Sequence, residues 1–342
     1  MDSIIFTRES GVALKRLLQN ISSSDIYLLM DSNSQTCCME HLQLDLPACN
    51  CIVLGAGEQF KTLESVTEVW KVLSGNCARR NSVLVNLGGG TITDMGGFAA
   101  SCFKRGIVCV NIPTTLLSQV DASVGGKTGV NFNGLKNEIG TFSVPRQVII
   151  DNSFLSTLPY RQVLSGFAEM LQHGLLSAEE HWTELMRVDL SNVDGIGFLT
   201  LIQKSVAVKN AIVRKDPCEK GIRKALNFGH TVGHAIESVA IDRHLDIYHG
   251  DAVAYGMIAE LYLSVKKVGF DKELYESIRS FIRELYPSCA CIDNRENLYQ
   301  LMLHDKKNEH PGVNFTLLQS IGEFVVNQYC ERDEIIEALE QI

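Results

Sequence analysis

Over the first 150 residues short β-branched runs alternate with stretches of helical periodicity, a pattern that restricts the chain to a parallel sheet flanked by helices. Ile26–Met30, Cys51–Leu54, Ser82–Asn86 and Val108–Ile112 read as buried strands. Between the second and third, Leu63, Val66, Val69, Trp70 and Leu73 fall at helical spacing and predict a helix over Thr62–Leu73, ended by Gly75. The first two strands run out into Asp31 and into Gly55-Ala56-Gly57-Glu58, at the carboxyl ends where such sheets bind ligands. From about residue 155 the texture changes to helical patterns: Val163–Leu176, Glu179–Val188, Leu199–Val213, Thr231–Ala240, Asp251–Lys267, Lys272–Leu285 and Arg295–His304. Two strand-like runs, Val313–Leu318 and Glu323–Asn327, then precede a short terminal helix. The expected architecture is an α/β nucleotide-binding domain with a parallel sheet over 1–152, a mostly α-helical domain over 153–342, and a ligand site in the cleft between them.

Charge narrows the partners. Forty acidic against thirty-one basic side chains leave a net charge of −9, which excludes general nucleic-acid binding and obliges any phosphorylated ligand to find a local basic pocket. No run of about 18 apolar residues lacks a charge or a glycine, and the opening segment Met1–Ser10 has no signal pattern, so neither membrane nor export is expected and the chain reads as cytoplasmic. The eleven cysteines show no Cys-x-x-Cys spacing and read as reduced, small apolar groups.

Three constellations carry chemistry. Leu87-Gly88-Gly89-Gly90-Thr91-Ile92-Thr93-Asp94 follows a strand and opens a helix, with Thr91 as the expected N-cap and Asp94 completing a capping-box-like start. Glycines there suit either a pyrophosphate on the helix amino end or a tight structural turn. Gly125-Gly126-Lys127-Thr128 lacks the first glycine of a P-loop; what remains is a turn presenting Lys127 and, after Gly134, Lys136 and Asn137. The third set is metal-like: Glu169 in a helical pattern, His230 and His234 four apart, and His249 beyond a loop. Local spacing favours a joint chelate by His230 and His234, but Thr231 stands where a His-Glu-x-x-His enzyme carries its general base. Lys209, Arg223, Lys224, Lys306 and Lys307 supply further positive charge in this half.

Taken in order, Gly88–Asp94, Pro113–Leu117, Val120–Lys127, Lys136-Asn137, Ala168-Glu169, Arg223–His234, His249-Gly250 and Asp305–Lys307 closely resemble the 3-dehydroquinate synthases of the sugar phosphate cyclase family, over about Asp31 to Gly322. The resemblance implies an NAD- and metal-dependent lyase of the shikimate pathway, with zinc or cobalt as the metal. It would convert 3-deoxy-D-arabino-heptulosonate 7-phosphate to 3-dehydroquinate and phosphate by transient oxidation, phosphate elimination, re-reduction and aldol closure. It also implies that Glu169, His230 and His249 hold the metal, overruling the local chelate, and that Asp31, Glu58, Lys61, Gly88, Gly89, Gly90, Asp94, Thr114 and Thr115 bind NAD. Asp121, Lys127 and Lys136 would lie at the cofactor's nicotinamide end and touch substrate. Arg105, Asn137, Lys209, Arg223, Asn227, His234, Lys306 and Lys307 complete the implied substrate and catalytic set, with Arg105 reaching a neighbouring subunit of a homodimer.

One position departs from the family pattern. Gln172 follows Glu169 by three residues, where Ala-Glu-x-x-Lys would place a lysine in the substrate site; glutamine keeps a donor and loses the charge. The loop Asp216-Pro217-Cys218-Glu219 differs too, a change expected to be minor. The rival readings are a sister cyclase acting on another sugar phosphate, and a catalytically weakened paralogue.

Overall fold

The first unit is organised by a six-stranded, all-parallel sheet in the order β1-β8-β5-β4-β2-β3. Its strands are β1 (Ile4–Thr7), β2 (Ile26–Asp31), β3 (Cys51–Leu54), β4 (Val83–Gly88), β5 (Val108–Pro113) and β8 (Gln147–Asp151); β6 (Lys127–Phe132) and β7 (Leu135–Phe142) form a separate antiparallel hairpin. The computed structural model describes residues 3–44, 50–133, 135–286, 293–303 and 312–342. Lys306 and Lys307 therefore lie outside the described residues, as do Gly134 and His304.

Alternation along each strand builds the core. Leu28 and Met30 face Leu14, Leu18, Val85, Leu87 and Val110 on one side, while Tyr27 and Leu29 join Leu84, Val66, Val69, Ile92 and Met95 on the other. Burial on both faces is what a parallel sheet clad by helices requires. The strand order has a consequence for ligand binding. The chain goes outward from β2 to β3 and then crosses back to β4, so β2 and β4 are the neighbours at which the winding reverses. Met30 pairs with Leu87, which sets Asp31 and Gly88 side by side at adjacent carboxyl ends, the crevice position in such sheets.

The second unit is mostly helical, with helices Tyr160–Ser177, Glu179–Met186, His230–Asp242, His249–Val268, Lys272–Leu285 and Arg295–Leu303. The antiparallel hairpin β9 (Val313–Ser320) and β10 (Glu323–Cys330) follows, and then helix Arg332–Leu339. By contacts the units comprise 1–159 with 189–206, and 160–188 with 207–342. Helix Ile196–Lys215 accordingly has its first half in one unit and its second in the other. On length and apolarity that helix alone among the described residues could cross a membrane, yet its buried face carries Ser205 and Lys209. No disulfide joins the cysteines among the described residues.

Candidate active site

In the first unit the loop after β4 enters helix Gly90–Cys102 with Gly89 as the N-cap, which has no side chain to offer. The expected capping box does not form. Thr91 lies inside the first turn and donates its hydroxyl to Glu58 Oε2 at 2.9 Å, and Asp94 turns to Lys61, whose Nζ is 2.7 Å from Asp94 Oδ2. Partners across the site outcompete the local cap, and the amino end of the helix keeps its unshared N–H groups. A Cβ on Gly88 would come within 2.7 Å of Ile92, and on Gly89 or Gly90 within 3.1 Å of Thr115 or 3.2 Å of Ala122, so the turn is tightly packed at all three glycines.

Lys61 is buried and is the hub of this half. Besides Asp94 it donates to Asn137 Oδ1 at 2.6 Å, and it lies 4.0 Å from Glu58 Oε1, which also accepts from Asn131 Nδ2. Asn137 is held by its own N–H on Asn131 Oδ1. Burial raises the Asp94 carboxyl above its ordinary value, Lys61 opposes that rise, and the charges of Glu58 and Asp121 add to it. Lys61→Met strands a carboxylate next to two others, so a stability loss of about 2–3 kcal/mol is expected in urea unfolding, with the Lys61→Arg variant retaining most of it. Of the other expected cofactor residues, Asp31 ends β2 and spends Oδ1 on capping helix Ser32–Cys37, accepting from Ser34 N and Oγ. Thr114 is buried and Thr115 shares its hydroxyl with Ser118. Asp121 sits in the π-helical turn Ser118–Ala122, Lys127 and Lys136 are exposed on the hairpin, and Arg105 is exposed in a left-handed turn (φ 67°).

In the second unit Glu169, His230 and His249 converge from three helices, their ligand atoms all within 4.8 Å of one another. Glu169 is fully buried, and its Oε1 lies 3.3 Å from His230 Nε2 and 3.2 Å from His249 Nε2. Burial alone would raise the Glu169 carboxyl, but the two imidazoles reverse this and hold it well below the carboxylate range. Burial likewise works against a charged His249, yet Glu169 and Glu237 push its pKa up to about 10. Two imidazoles and one carboxylate are the donor set of a catalytic zinc site with an open position, so the residues fit a divalent metal. His234 stacks edge-on to His230 with ring centroids 5.4 Å apart, outside that ligand set.

Several positioning side chains escaped the sequence reading. Arg161 stands two turns before Glu169 on the same helix. It donates to Asp246 Oδ2 at 2.7 Å, Asp246 O at 3.0 Å and Asp251 Oδ2 at 2.7 Å, with its guanidinium 4.8 Å from the Tyr248 ring centroid. It thereby straps the loop that delivers His249 to the helix that carries Glu169. Glu237 Oε2 faces His249 Nδ1 at 3.6 Å, and its position seven residues after His230, on the same helix face, was the available signal. Glu260, buried, accepts from Gly229 N at 2.7 Å and so anchors the start of the His230 helix. The loop Asp216–Glu219 makes two contacts to expected substrate residues: Asp216 accepts from Arg223 N, and Glu219 accepts from Asn227 Nδ2 at 3.0 Å. Arg223 and Lys209 are both buried, the former with Nη1 on Pro217 O.

Comparison with known proteins identifies the family. The sequence profile described as 3-dehydroquinate synthase N-terminal matches residues 51–165, and that described as 3-dehydroquinate synthase C-terminal matches residues 166–308. The 3-dehydroquinate synthase of Parabacteroides distasonis is 46% identical over 342 residues, covering 98% of this chain and 96% of that one. Among solved structures, 2-deoxy-scyllo-inosose synthase complexed with carbaglucose-6-phosphate, NAD+ and Co2+ shares the fold with a TM-score of 0.83 at 23% identity, covering 99% of this chain and 96% of that one. The 2-epi-5-epi-valiolone synthase of Streptomyces hygroscopicus, with NAD+ and Zn2+ bound, follows at 0.81 and 24%, covering 98% and 95%. With both profiles matched in order across the two units, and a full-length relative close to half identical, the chain belongs to the 3-dehydroquinate synthase family.

Proposed function

We propose that the protein is an NAD- and metal-dependent lyase that converts 3-deoxy-D-arabino-heptulosonate 7-phosphate to 3-dehydroquinate and phosphate. The observation that carries this reading is the convergence of Glu169, His230 and His249 in a chain of this family. When bound, NAD supplies a reversible hydride acceptor and the metal a Lewis acid that acidifies the alcohol to be oxidised. Glu169, His230 and His249 hold the metal, which the donor chemistry supports. Asp31, Glu58, Lys61, Gly88, Gly89, Gly90, Asp94, Thr114 and Thr115 cradle the cofactor, a role supported by the uncapped helix start at the β2/β4 reversal. Asp121, Lys127 and Lys136 serve its reactive end and the substrate.

Buried Arg223 and Lys209 are suited to the substrate's carboxylate and phosphate, because a cation withdrawn from water is stabilised by an anion brought to it. Asn137 and Asn227 orient ring hydroxyls, and His234 holds or passes a proton. Lys306 completes the catalytic set and, with Lys307, the basic pocket. Arg105 serves the site of a second copy in a homodimer, and the reaction runs in the cytoplasm. For the ring closure the protein's task is to hold one conformer of the opened product.

The test incubates the protein with NAD, zinc and the heptulosonate phosphate while phosphate and NADH absorbance are followed. Phosphate without lasting NADH is the expected result. Lasting NADH would mean a dehydrogenase, phosphate only from another sugar phosphate a sister cyclase, and neither signal a catalytically idle paralogue.

A further inference from the structure

Gln172 stands one turn beyond Glu169 on helix Tyr160–Ser177, and its side chain has no exposed surface. Its Nε2 donates to Leu226 O at 3.1 Å and Phe228 O at 2.5 Å, and lies 3.1 Å from His230 Nδ1. Phe228 O is in turn 3.3 Å from the same Nδ1. The carbonyl end, Oε1, is buried without a hydrogen-bond partner. Both ends of the amide are therefore withdrawn from any ligand, and the contacts it makes are those of its donor end. The donor end joins the Glu169 helix to the segment that carries Asn227 and His230. With both N–H groups spent on those carbonyls, it acts on the imidazole through Phe228 O, which faces Nδ1 while Nε2 faces Glu169 at 3.3 Å.

We propose that Gln172 is a positioning residue for the metal site, holding the Leu226–His230 segment and the orientation of the His230 ring, and that it makes no contact with the substrate. The inference rests on the metal-site reading above. It differs from a substrate role for position 172 in what each variant alters. Histidine ligands owe about 10–100-fold of metal affinity to the groups that hold their second nitrogen. An apolar side chain of the same length removes the hold and no charge; a lysine keeps donors for the two carbonyls and brings a cation beside a ligand of a cation.

The experiment measures zinc affinity of the metal-stripped protein by chelator competition, the visible spectrum of the cobalt form, and KM at saturating zinc, for wild type, Gln172→Met and Gln172→Lys. The expected result is a zinc affinity weakened about 10–100-fold in Gln172→Met, an altered cobalt spectrum in both variants, and KM within about twofold of wild type. Overturning results are a Gln172→Met protein with unchanged zinc affinity, or a Gln172→Lys protein whose KM falls while its zinc affinity and cobalt spectrum stay as they were. Two variants of opposite polarity keep the comparison decisive if one folds poorly. A wild type that binds zinc but releases no phosphate from the heptulosonate phosphate would sink the proposed reaction, and the affinity and spectral comparison would still decide the role of Gln172.

Discussion

Glu169→Gln is expected to abolish activity to at least about a thousand-fold below wild type, because several kcal/mol of transition-state stabilisation depend on the bound ion and each 1.36 kcal/mol is tenfold in rate. The variant keeps shape and loses charge, so zinc content measured after dialysis should fall with activity while the fold persists. A zinc-loaded, active variant would remove Glu169 from the ligand set. The same carboxylate controls the response to pH. In the metal-free protein the His249 imidazole has its pKa raised from 6.5 to about 10, so its contribution to stability is complete below about 6.5 and is lost as pH rises towards 10. The depressed Glu169 carboxyl contributes above its ordinary 4.5 and loses that contribution as pH falls through its lowered value. The metal-free protein therefore draws most on this pair between about pH 4.5 and 6.5, and metal, which must displace the His249 proton, binds more tightly as pH rises. Glu169→Gln should flatten both trends in thermal denaturation and chelator titrations.

Gly256→Ala should severely damage the second unit. A Cβ at position 256 would lie 1.8 Å from Gly229 O, 2.8 Å from Gly229 C and 3.0 Å from Gly233 N. The neighbouring glycines are tight too: a Cβ on Gly229, whose φ is +80°, would sit 2.7 Å from Met257 Cγ, and one on Gly233 would sit 3.1 Å from Ala252 O. The His230 and His249 helices thus meet backbone to backbone, and the methyl can be admitted only by moving them apart. We expect a loss of about 3 kcal/mol or more in denaturant unfolding, together with weakened zinc binding, since the separation of the two ligands is set by this crossing. Gly269→Ala is the control for space, because nothing lies within 4 Å of a Cβ there, although its φ of +83° carries its own strain. A Gly256→Ala protein as stable as wild type would show that the helices can slide.

The large elements were legible in the sequence where one principle dominated. Lys272–Leu285 has the bounds its helical pattern predicts, and in the structure Asp271 caps it by accepting from Leu274 N. Cys51–Leu54 was legible as a strand but not as a buried one: it is the edge of the sheet, with Ile52 and Leu54 buried and Val53 exposed. What escaped depended on partners far away in sequence. Ile4–Thr7 pairs with Gln147–Asp151, which pairs in turn with Val108–Pro113, while the hairpin from Lys127 carries too many polar residues to alternate cleanly. The proposed metal ligands Glu169, His230 and His249 could be named because a motif series carried them; spacing alone would have joined His230 to His234. Arg161 and Glu260 were invisible because nothing in a linear sequence distinguishes a strap or a buried anchor from a solvated helix charge, whereas Glu237 had its spacing from His230 to offer and was missed. Thr91 and Asp94 mislead for the complementary reason, since a local cap was outbid by Glu58 and Lys61.

The pairing of β1 with β8 also bears on how the chain is assembled. Ile4 meets Val148 and Thr7 meets Asp151, while Ser10 N donates to Asp151 Oδ2, so the first strand made has to wait for one of the last in its sheet. The wait extends further, for Asn152 Nδ2 donates to Val193 O and Gly195 O in the returning stretch 189–206. Loop-closure entropy across such separations falls due before the contacts form. During synthesis at about 5–20 residues per second, β1 stays unpaired on the ribosome for some seconds after β2, β3 and β4 have emerged. Deleting residues 1–8 should accordingly leave early collapse unchanged and strip the final, slowest folding phase of its partner.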